Sequence, residues 1–451
     1  MDGEVVAGAV TPNLPAQRSR SQLGELVSLA KRNRDYRRLF LASVVSYLGD
    51  WFALVAVSGL VRDLTGYEGA TALVFAAEVL PVFLLAPVAG VLADRFDRKR
   101  IMIASALGRF VPAVGLLGAV AWEQAWLAYA CVAAISAGAA FYEPLAPAVV
   151  PNLVDDEDLS IATTSIATIW GTMLFLGAAI GGAVTAVAGR EVAFVINAAT
   201  FLVAAAMLAR VKAAFSEGEV TAAASVLANL AEVRALLRDR PVVAKLLTTK
   251  AGVGMGNGIV GLLPLLALDV YHAGDAGTGV LLAARGAGVV VGPFLGRSVA
   301  QRGDGRLLLR LIPVAITSYG LAYLTLPFAP SLQVAALVVF VAHLGGGYQW
   351  VASTEALQRT TPDAIRGRIM TLDFSLVTLA IGTSSILAAV MAGVFGLTTT
   401  IRLLAVVPIA YAGSWLYRTR TLWSGPVDPL VMPGLRAADR PGLVVEGDAG
   451  A

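Results

Sequence analysis

Long apolar stretches recur along the chain and are separated by shorter polar intervals. Each holds about 20 residues, and a helix of that length, at a rise of ~1.5 Å per residue, crosses a hydrocarbon core of ~30 Å. A backbone inside a membrane must satisfy its own hydrogen bonds, so helices are the structure that these stretches predict. Twelve of them are expected, at 39–61, 70–93, 101–121, 125–149, 161–187, 191–209, 243–268, 276–298, 307–328, 331–352, 369–393 and 398–417.

Lysine and arginine are concentrated on one side of these spans. They precede the first, lie between the second and third, follow the eighth, precede the eleventh and follow the last. The opposite side holds little more than Arg62, Arg190 and Arg402. Because cytoplasmic loops carry the excess of basic residues, both termini are expected to be cytoplasmic.

The longest internal polar interval divides the spans into two sets of six. An amphipathic lead-in along the inner membrane surface is expected over Leu23–Leu39, ahead of the first set. The expected organisation is a cytoplasmic tail and lead-in at 1–37, a six-helix half at 38–210, a partly helical cytoplasmic connector at 211–242, a second half at 243–418 and a cytoplasmic tail at 419–451.

The two sets of spans are related by an internal repeat. Shifting the sequence by 207 residues aligns them without a gap from about 44 to 189, so that Gly49-Asp50 falls on Gly256-Asn257 and Gly189 falls on Gly396. Two halves of one topology are typical of transporters that bind substrate between the halves near the membrane midplane. The fold class predicted is all-α, with the two halves around a central cavity.

Composition narrows the function classes. Only 14% of the 451 residues are charged and 57% are hydrophobic, which excludes a soluble surface. One cysteine and two histidines leave little material for a disulfide framework, a metal centre or histidine-based catalysis. No Gly-x-x-x-x-Gly-Lys-Ser/Thr phosphate loop is present, and a net charge of +3 is too small to indicate nucleic acid. We expect neither an enzyme nor a bound cofactor or metal.

Ionisable residues inside the spans are the candidates for function, since each costs roughly 2.5–3.5 kcal/mol to insert. Asp50, ~18 Å along the helix from Arg38, is our candidate proton carrier, and its repeat counterpart Asn257 keeps the polarity without a titratable group. Glu78 falls on Arg285 in the repeat, so these opposite charges are expected to act together. Further cavity candidates are Glu143 and, ranked below it, Arg109; Lys250, Asp373 and His343 are also ranked below Glu143. The alternative for all of these residues is a role in packing alone.

A loop motif between the second and third spans resembles a known signature. The sequence Gly90-Val-Leu-Ala-Asp94-Arg95-Phe-Asp97-Arg98-Lys99-Arg100 is similar to that of the major facilitator superfamily, with Asp97 where a second glycine is usual. The segments 33–40, 49–50 and 194–197 resemble the bacterial efflux branch, which includes macrolide, tetracycline and enterobactin exporters. The resemblance implies alternating access in a bacterial cell membrane.

The resemblance also implies a conformational latch made of Gly90, Asp94, Arg95, Arg98 and Lys99. Asp94 would face the positive N-terminus of the eleventh helix while the cytoplasmic side is closed, a contact of ~0.3–2 kcal/mol. The alternative is a basic loop that only sets topology.

The antiporter signature of the family, a glycine-rich fifth helix containing Gly-Pro, is incomplete here. The fifth span keeps its glycines, but Ala178 stands where proline is usual. This departure weakens the case for antiport specifically and does not weaken the case for transport.

The function expected is proton-coupled efflux of amphipathic small molecules, such as drugs or secondary metabolites, by a monomer in the lipid bilayer. A carrier of lipids, lysophospholipids or siderophores on the same fold is one alternative. A membrane sensor or scaffold that transports nothing is another.

The basic-residue distribution gives a direct test of orientation. Reporter fusions after Ala451 and before Leu23 should both be active only with a reporter that works in the cytoplasm. A periplasmic signal from either fusion would contradict the twelve-span orientation.

Overall fold

The computed structural model describes residues 22–215, 226–295, 305–420 and 430. These ranges are helical and contain no strand, and twelve of their helices are long and apolar enough to cross a membrane. The all-α membrane fold is thereby confirmed. Spans 1 to 12 are Arg34–Thr65, Ala70–Ala93, Arg98–Ala121, Ala125–Ala148, Asp156–Ala188, Arg190–Ala209, Pro241–Val270, Gly274–Leu295, Gly305–Phe328, Leu332–Thr360, Ile365–Phe395 and Leu397–Thr419.

The lead-in helix is shorter than the sequence pattern predicts. It runs over Gln22–Arg32 and ends before Asn33, instead of reaching Leu39. The Asn33 side chain caps span 1, because its Oδ1 accepts hydrogen bonds from the backbone N–H groups of Asp35 (3.1 Å) and Tyr36 (2.9 Å). The cap separates the surface helix from the span.

The acidic interval at 150–160 is partly helical as well. Span 5 begins at Asp156, so Asp156, Glu157 and Asp158 form its first turn. The positive end of a helix dipole favours acidic side chains there. The start of a helix therefore explains why this interval, on the same side as the basic loops, is acidic.

Span 7 is not a continuous α-helix. It is α-helical over Pro241–Gly254, tightens over Asn257–Leu262 and widens over Leu266–Val270. Ser384 of span 11 satisfies part of the irregular backbone, since its Oγ accepts from the Gly258 N–H at 2.9 Å and donates to the Met255 carbonyl at 2.7 Å. Irregular backbone is tolerated at membrane depth where protein supplies such partners.

The two halves meet along spans 1, 2, 5, 7, 8 and 11. Spans 5 and 8 approach closely, since a Cβ atom on Gly182 would lie 2.7 Å from the Gly279 Cα and one on Gly286 would lie 2.5 Å from the Phe175 nitrogen. Spans 2 and 11 make the equivalent contact, where a Cβ on Gly382 would lie 2.7 Å from the Leu80 Cγ. The shift of 207 residues carries Phe175 onto Gly382. The halves are therefore related by a pseudo-twofold axis.

The contact between spans 5 and 8 predicts a steric effect on stability. Gly182→Val should lower the midpoint of thermal unfolding in detergent, because overpacking a close helix contact costs about 1–3 kcal/mol. Gly413→Val is the matched control, since a Cβ there meets no atom within 4 Å. Equal midpoints for the two variants would show that the helices do not approach this closely.

Candidate functional site

Ion pairs join the two halves at the side of the bundle opposite the termini, here called the far side. Arg62 at the end of span 1 binds Asp269 at the end of span 7 at 2.5 Å. Arg190 at the start of span 6 binds both Asp275 of the other half (2.8 Å) and Asp63 (2.6 Å). Arg62 and Asp269 are 207 residues apart, so they occupy equivalent positions in the repeat.

Two side-chain to backbone hydrogen bonds reinforce the far side. The Tyr67 hydroxyl donates to the Ala389 carbonyl at 2.6 Å, and the Thr71 hydroxyl donates to the Gly261 carbonyl at 2.7 Å. Between side chains that the structure describes, all ion pairs and hydrogen bonds from one half to the other lie on this side. Among the described side chains, the polar contacts between the halves therefore lie at the far side.

The loop motif contacts its own half and the start of the connector. Asp97 caps span 3 through the Lys99 N–H at 2.8 Å, a role that the usual glycine could not fill. The Lys99 ammonium donates to the Val211 carbonyl at 2.6 Å, and Arg98 donates to the Ala148 carbonyl at 3.4 Å. Arg95 is exposed, and a Cβ at Gly90 would meet nothing within 4 Å. The side chain of Asp94 lies outside the described part of the chain, so the latch stays a prediction.

Asp50 forms a buried ion pair with Arg109 of span 3. The Arg109 Nη2 lies 2.6 and 2.7 Å from the two carboxylate oxygens of Asp50, and Nη1 donates to the Ser46 hydroxyl at 3.1 Å. The Arg109 guanidinium also lies over the Phe201 ring, 4.3 Å from its centroid, and is 2% exposed. All these partners belong to the first half, so the pair is fixed within it.

Two other carboxyl groups, Glu78 and Glu143, are partly buried near this pair. Glu143 lies within electrostatic reach of Arg109 and Asp50, and Glu78 lies within reach of Arg285, Asp50 and Glu143. Neither carboxyl group has a hydrogen bond or ion pair to another side chain that the structure describes. They are the carboxyl groups of this cluster that are free to bind a proton or a cation.

Arg285 of span 8 faces the first half from the second. Its guanidinium lies 5.9 Å from the Trp51 ring and 6.0 Å from the Trp170 ring, within reach of a cation–π interaction. It interacts electrostatically with Glu78 but forms no ion pair with a described carboxylate, and its Nε is buried without a hydrogen-bond partner among the described residues. Arg285 is thus a cation whose carboxylate partner is missing in this conformation.

Polar aromatic residues surround Arg285 on the side of the second half. The Tyr319 hydroxyl donates to Asn257 Oδ1 at 2.9 Å, and the Tyr323 hydroxyl lies 2.9 Å from His343 Nε2. Asn257 and His343 are therefore engaged by tyrosines, in agreement with the packing alternative for His343.

A second buried ion pair, Lys250 with Asp373, lies within the second half. Lys250 also donates to the Thr354 hydroxyl at 2.8 Å and lies 5.0 Å from the Trp350 ring centroid. Both residues were sequence candidates, but nothing in the sequence linked them to each other.

Sequence reasoning missed the far-side network and the two tyrosines. The signal for Arg62 and Asp269 was available, because the 207-residue shift sets opposite charges on each other. Tyr319 and Tyr323 are four residues apart and therefore share a helix face.

Comparison with known proteins identifies the family. The model of the transmembrane secretion effectors, a family of major facilitator superfamily transporters, matches residues 28–422. The chain belongs to this family. Transporters of this kind take small-molecule substrates, and the chain is a multi-pass membrane transporter.

Relatives and solved structures agree with this assignment. The chain is 27% identical to YfiS of Bacillus subtilis (strain 168), an uncharacterised transporter of the same superfamily, over 78% of this chain and 85% of that protein. It is 26% identical to BacE of Bacillus subtilis, described as a bacilysin exporter (79% and 88% covered), and 23% identical to macrolide efflux protein A of Streptococcus pyogenes (79% and 89% covered).

The fold matches two solved transporters. A bacterial homologue of the human lysosomal transporter Spinster, in an inward-facing and unoccupied conformation, aligns with a TM-score of 0.67 at 15% identity, over 87% of this chain and 99% of that chain. A variant of the nucleoside transporter NupG aligns with a TM-score of 0.67 at 12% identity, over 85% and 99% of the two chains.

The Asp50–Arg109 pair predicts a coupled effect on the stability of the transporter. Asp50→Asn and Arg109→Gln should each cost about 3–5 kcal/mol, because each leaves a buried charge unpaired. The double variant should lose less than the sum by about 0.5–3 kcal/mol in a double-mutant cycle of unfolding. Arg109→Gln combined with Asp373→Asn is the control, since these residues lie in different halves and should be additive. Additivity for Asp50 and Arg109 as well would contradict the ion pair.

Proposed function

We propose that this transporter exports amphipathic small molecules in exchange for protons by alternating access. The observation that carries the proposal is a pair of carboxyl groups, Glu78 and Glu143, that have no side-chain partner among the described residues. They lie beside the contact between two halves whose described ion pairs with each other are all at the far side. The names of two relatives, the bacilysin exporter BacE and macrolide efflux protein A, support export as the direction.

The described conformation corresponds to an inward-facing state in this proposal. The distribution of basic residues puts the termini in the cytoplasm, and the ion pairs of Arg62 and Arg190 close the side opposite the termini. In the outward-facing state these ion pairs separate in water, where an exposed pair contributes little. Closure of the cytoplasmic side then brings Asp94 to the N-terminus of span 11.

Glu143 replaces Asp50 as our candidate for the proton carrier. Asp50 is bound to Arg109 at 2.6 Å, and an adjacent cation favours the charged form of a carboxyl group. Glu143 has no such partner among the described residues, but it lies within electrostatic reach of both members of the pair. Its protonation would remove a charge from this site without breaking the pair.

The three carboxyl groups of Glu78, Asp50 and Glu143 lie at successive depths across the membrane. Measured along their helices from the far side, Glu78 is ~12 Å deep in span 2, Asp50 ~22 Å deep in span 1 and Glu143 ~27 Å deep in span 4. Glu143 is thus the carboxyl group nearest to the cytoplasm, where a proton is released in the inward-facing state.

Apolar wall residues give the site its preference for amphipathic molecules. Trp51 and Trp170 pack edge to face at 5.9 Å between ring centroids, and Trp170 is 39% exposed. An apolar ring or chain gains contact with such aromatic surface, and the neighbouring charges orient its polar end. No described contact favours a lipid or siderophore over other amphipathic molecules.

Proteoliposomes test the coupling. With a pH gradient imposed, wild-type protein should concentrate ethidium, an amphipathic cation, against its gradient. Glu143→Gln should abolish this accumulation but keep downhill ethidium exchange, because the substrate path is intact while the proton site is lost. Glu68→Gln, at an exposed far-side position, is the matched control and should behave as wild type.

The Asp50→Asn variant decides whether Asp50 or Glu143 carries the proton. Asp50→Asn should impair driven and downhill transport together, because it leaves the buried charge of Arg109 without its carboxylate partner. A loss confined to driven transport in Asp50→Asn, with normal accumulation by Glu143→Gln, would assign the carrier role to Asp50.

A further inference from the structure

We infer that the preferred substrate is a zwitterion, with its carboxylate bound by Arg285 and its ammonium group bound by Glu78. The inference rests on the proposed transport function and names the substrate class of that site. It is carried by three independent features: the equivalent positions of the two residues on opposite sides of the pseudo-twofold axis, the lack of a described carboxylate partner for Arg285, and the balance of charges around them.

Symmetry places Glu78 and Arg285 on opposite sides of the site. They are equivalent positions in the 207-residue repeat. A twofold rotation exchanges equivalent positions, so the line that joins them crosses the axis at its midpoint. They lie at similar depths, ~12 Å from the far end of span 2 and ~16 Å from the far end of span 8. The space between them is therefore central to the transporter.

A second pair of opposite charges at repeat-equivalent positions is in direct contact. Arg62 and Asp269 obey the same repeat relation and meet at 2.5 Å at the far side. Glu78 and Arg285 interact electrostatically but form no ion pair in the described conformation. The two charges therefore do not meet in the described conformation, and each can bind the opposite charge of one zwitterion.

The guanidinium group of Arg285 has a buried hydrogen-bond donor that an anion could satisfy. The Trp51 and Trp170 rings, at 5.9 and 6.0 Å, cover its guanidinium from the first half, while its Nε is buried and lacks a described acceptor. A guanidinium binds a carboxylate through two parallel hydrogen bonds, and a buried donor left unmade is costly. The Trp170 ring, which is 39% exposed, offers apolar surface next to the carboxylate for a side chain of the substrate.

The charges of the neighbouring residues indicate that the ammonium group of the substrate and the transported proton bind different carboxyl groups. Asp50 and Arg109 neutralise each other. Glu78, Glu143 and Arg285 then leave one more negative charge than positive. A zwitterion satisfies Glu78 and Arg285, and one proton satisfies Glu143, which has Arg109 and Asp50 within electrostatic reach but not Arg285. Substrate and proton thus bind at neighbouring sites and do not compete for a single group.

A series of three dipeptide probes tests the inference by binding to the purified full-length transporter. L-Alanyl-L-phenylalanine is the zwitterion, its C-terminal amide lacks the carboxylate, and its N-acetyl derivative lacks the ammonium group. The zwitterion should bind about tenfold or more tightly than either derivative in calorimetry, because each derivative leaves one charged residue unpaired.

Two charge-neutral variants assign the ends of the probe. Arg285→Gln should bind the dipeptide and its amide equally while it still discriminates against the N-acetyl form. Glu78→Gln should show the reverse pattern. Arg402→Gln is the matched control, because Arg402 lies over Phe328 away from this site, and it should keep both preferences. A merely structural role would weaken all three probes alike.

The outcomes separate this inference from the proposed function. If ethidium transport is proton-coupled and the three dipeptides bind equally or not at all, the zwitterion site is overturned while export stands. If both discriminations persist in Arg285→Gln and Glu78→Gln, the binding groups lie elsewhere and the assignment fails. If neither ethidium nor dipeptide interacts with the protein, both proposals fall.

Discussion

The free-energy cost of an uncompensated charge in a medium without water determines where the ionisable residues of this transporter lie. Asp50–Arg109 and Lys250–Asp373 each pair within one half, so neither pair has to break when the halves move. Arg62–Asp269 joins the halves, and it lies at a membrane surface where water can replace each partner. Glu78, Glu143 and Arg285, at or beside the contact between the halves, form no ion pair with a described residue. A charge can remain unpaired there because water, a proton or a substrate can enter when one side opens.

The same requirement applies to the backbone and makes the two halves unequal. Span 1 is one continuous helix, whereas its repeat counterpart, span 7, changes its helical geometry between Gly254 and Val270. Ser384 and Thr71 supply hydrogen bonds to the irregular part, and Thr71 belongs to the other half. A segment whose backbone depends on a partner across the interface is suited to respond when the interface opens. The repeat therefore preserves topology while spans 1 and 7 differ in backbone geometry.

The fold was predictable from the sequence to a greater degree than the site. Hydropathy and basic loops define spans because both reflect the bilayer itself, and the twelve predicted spans all occur. The end of the lead-in at Asn33 was missed because amphipathic periodicity continues through the cap, which only the Asn33 side-chain hydrogen bonds reveal. The pairing of Asp50 with Arg109 was missed for a different reason. It depends on how spans 1 and 3 are rotated about their axes, and hydropathy specifies depth but not rotation.

Repeat symmetry supplies some of the lateral information that hydropathy lacks. Two repeat-equivalent residues that face each other across a twofold axis repel if they have the same charge. Opposite charges at equivalent positions therefore identify residues that can attract each other across the axis. Arg62 and Asp269 show this relation by direct contact, since helix ends converge at the closed far side. Glu78 and Arg285 lie deeper and form no ion pair with each other in the described conformation, so the same attraction is left unsatisfied. In the proposed mechanism, a molecule that bridges Glu78 and Arg285 supplies a partner to each at once, so its binding draws the halves toward each other around the axis. By this proposal, the opposition of charges seen in the Arg62–Asp269 pair at the far side acts at greater depth through the bound substrate.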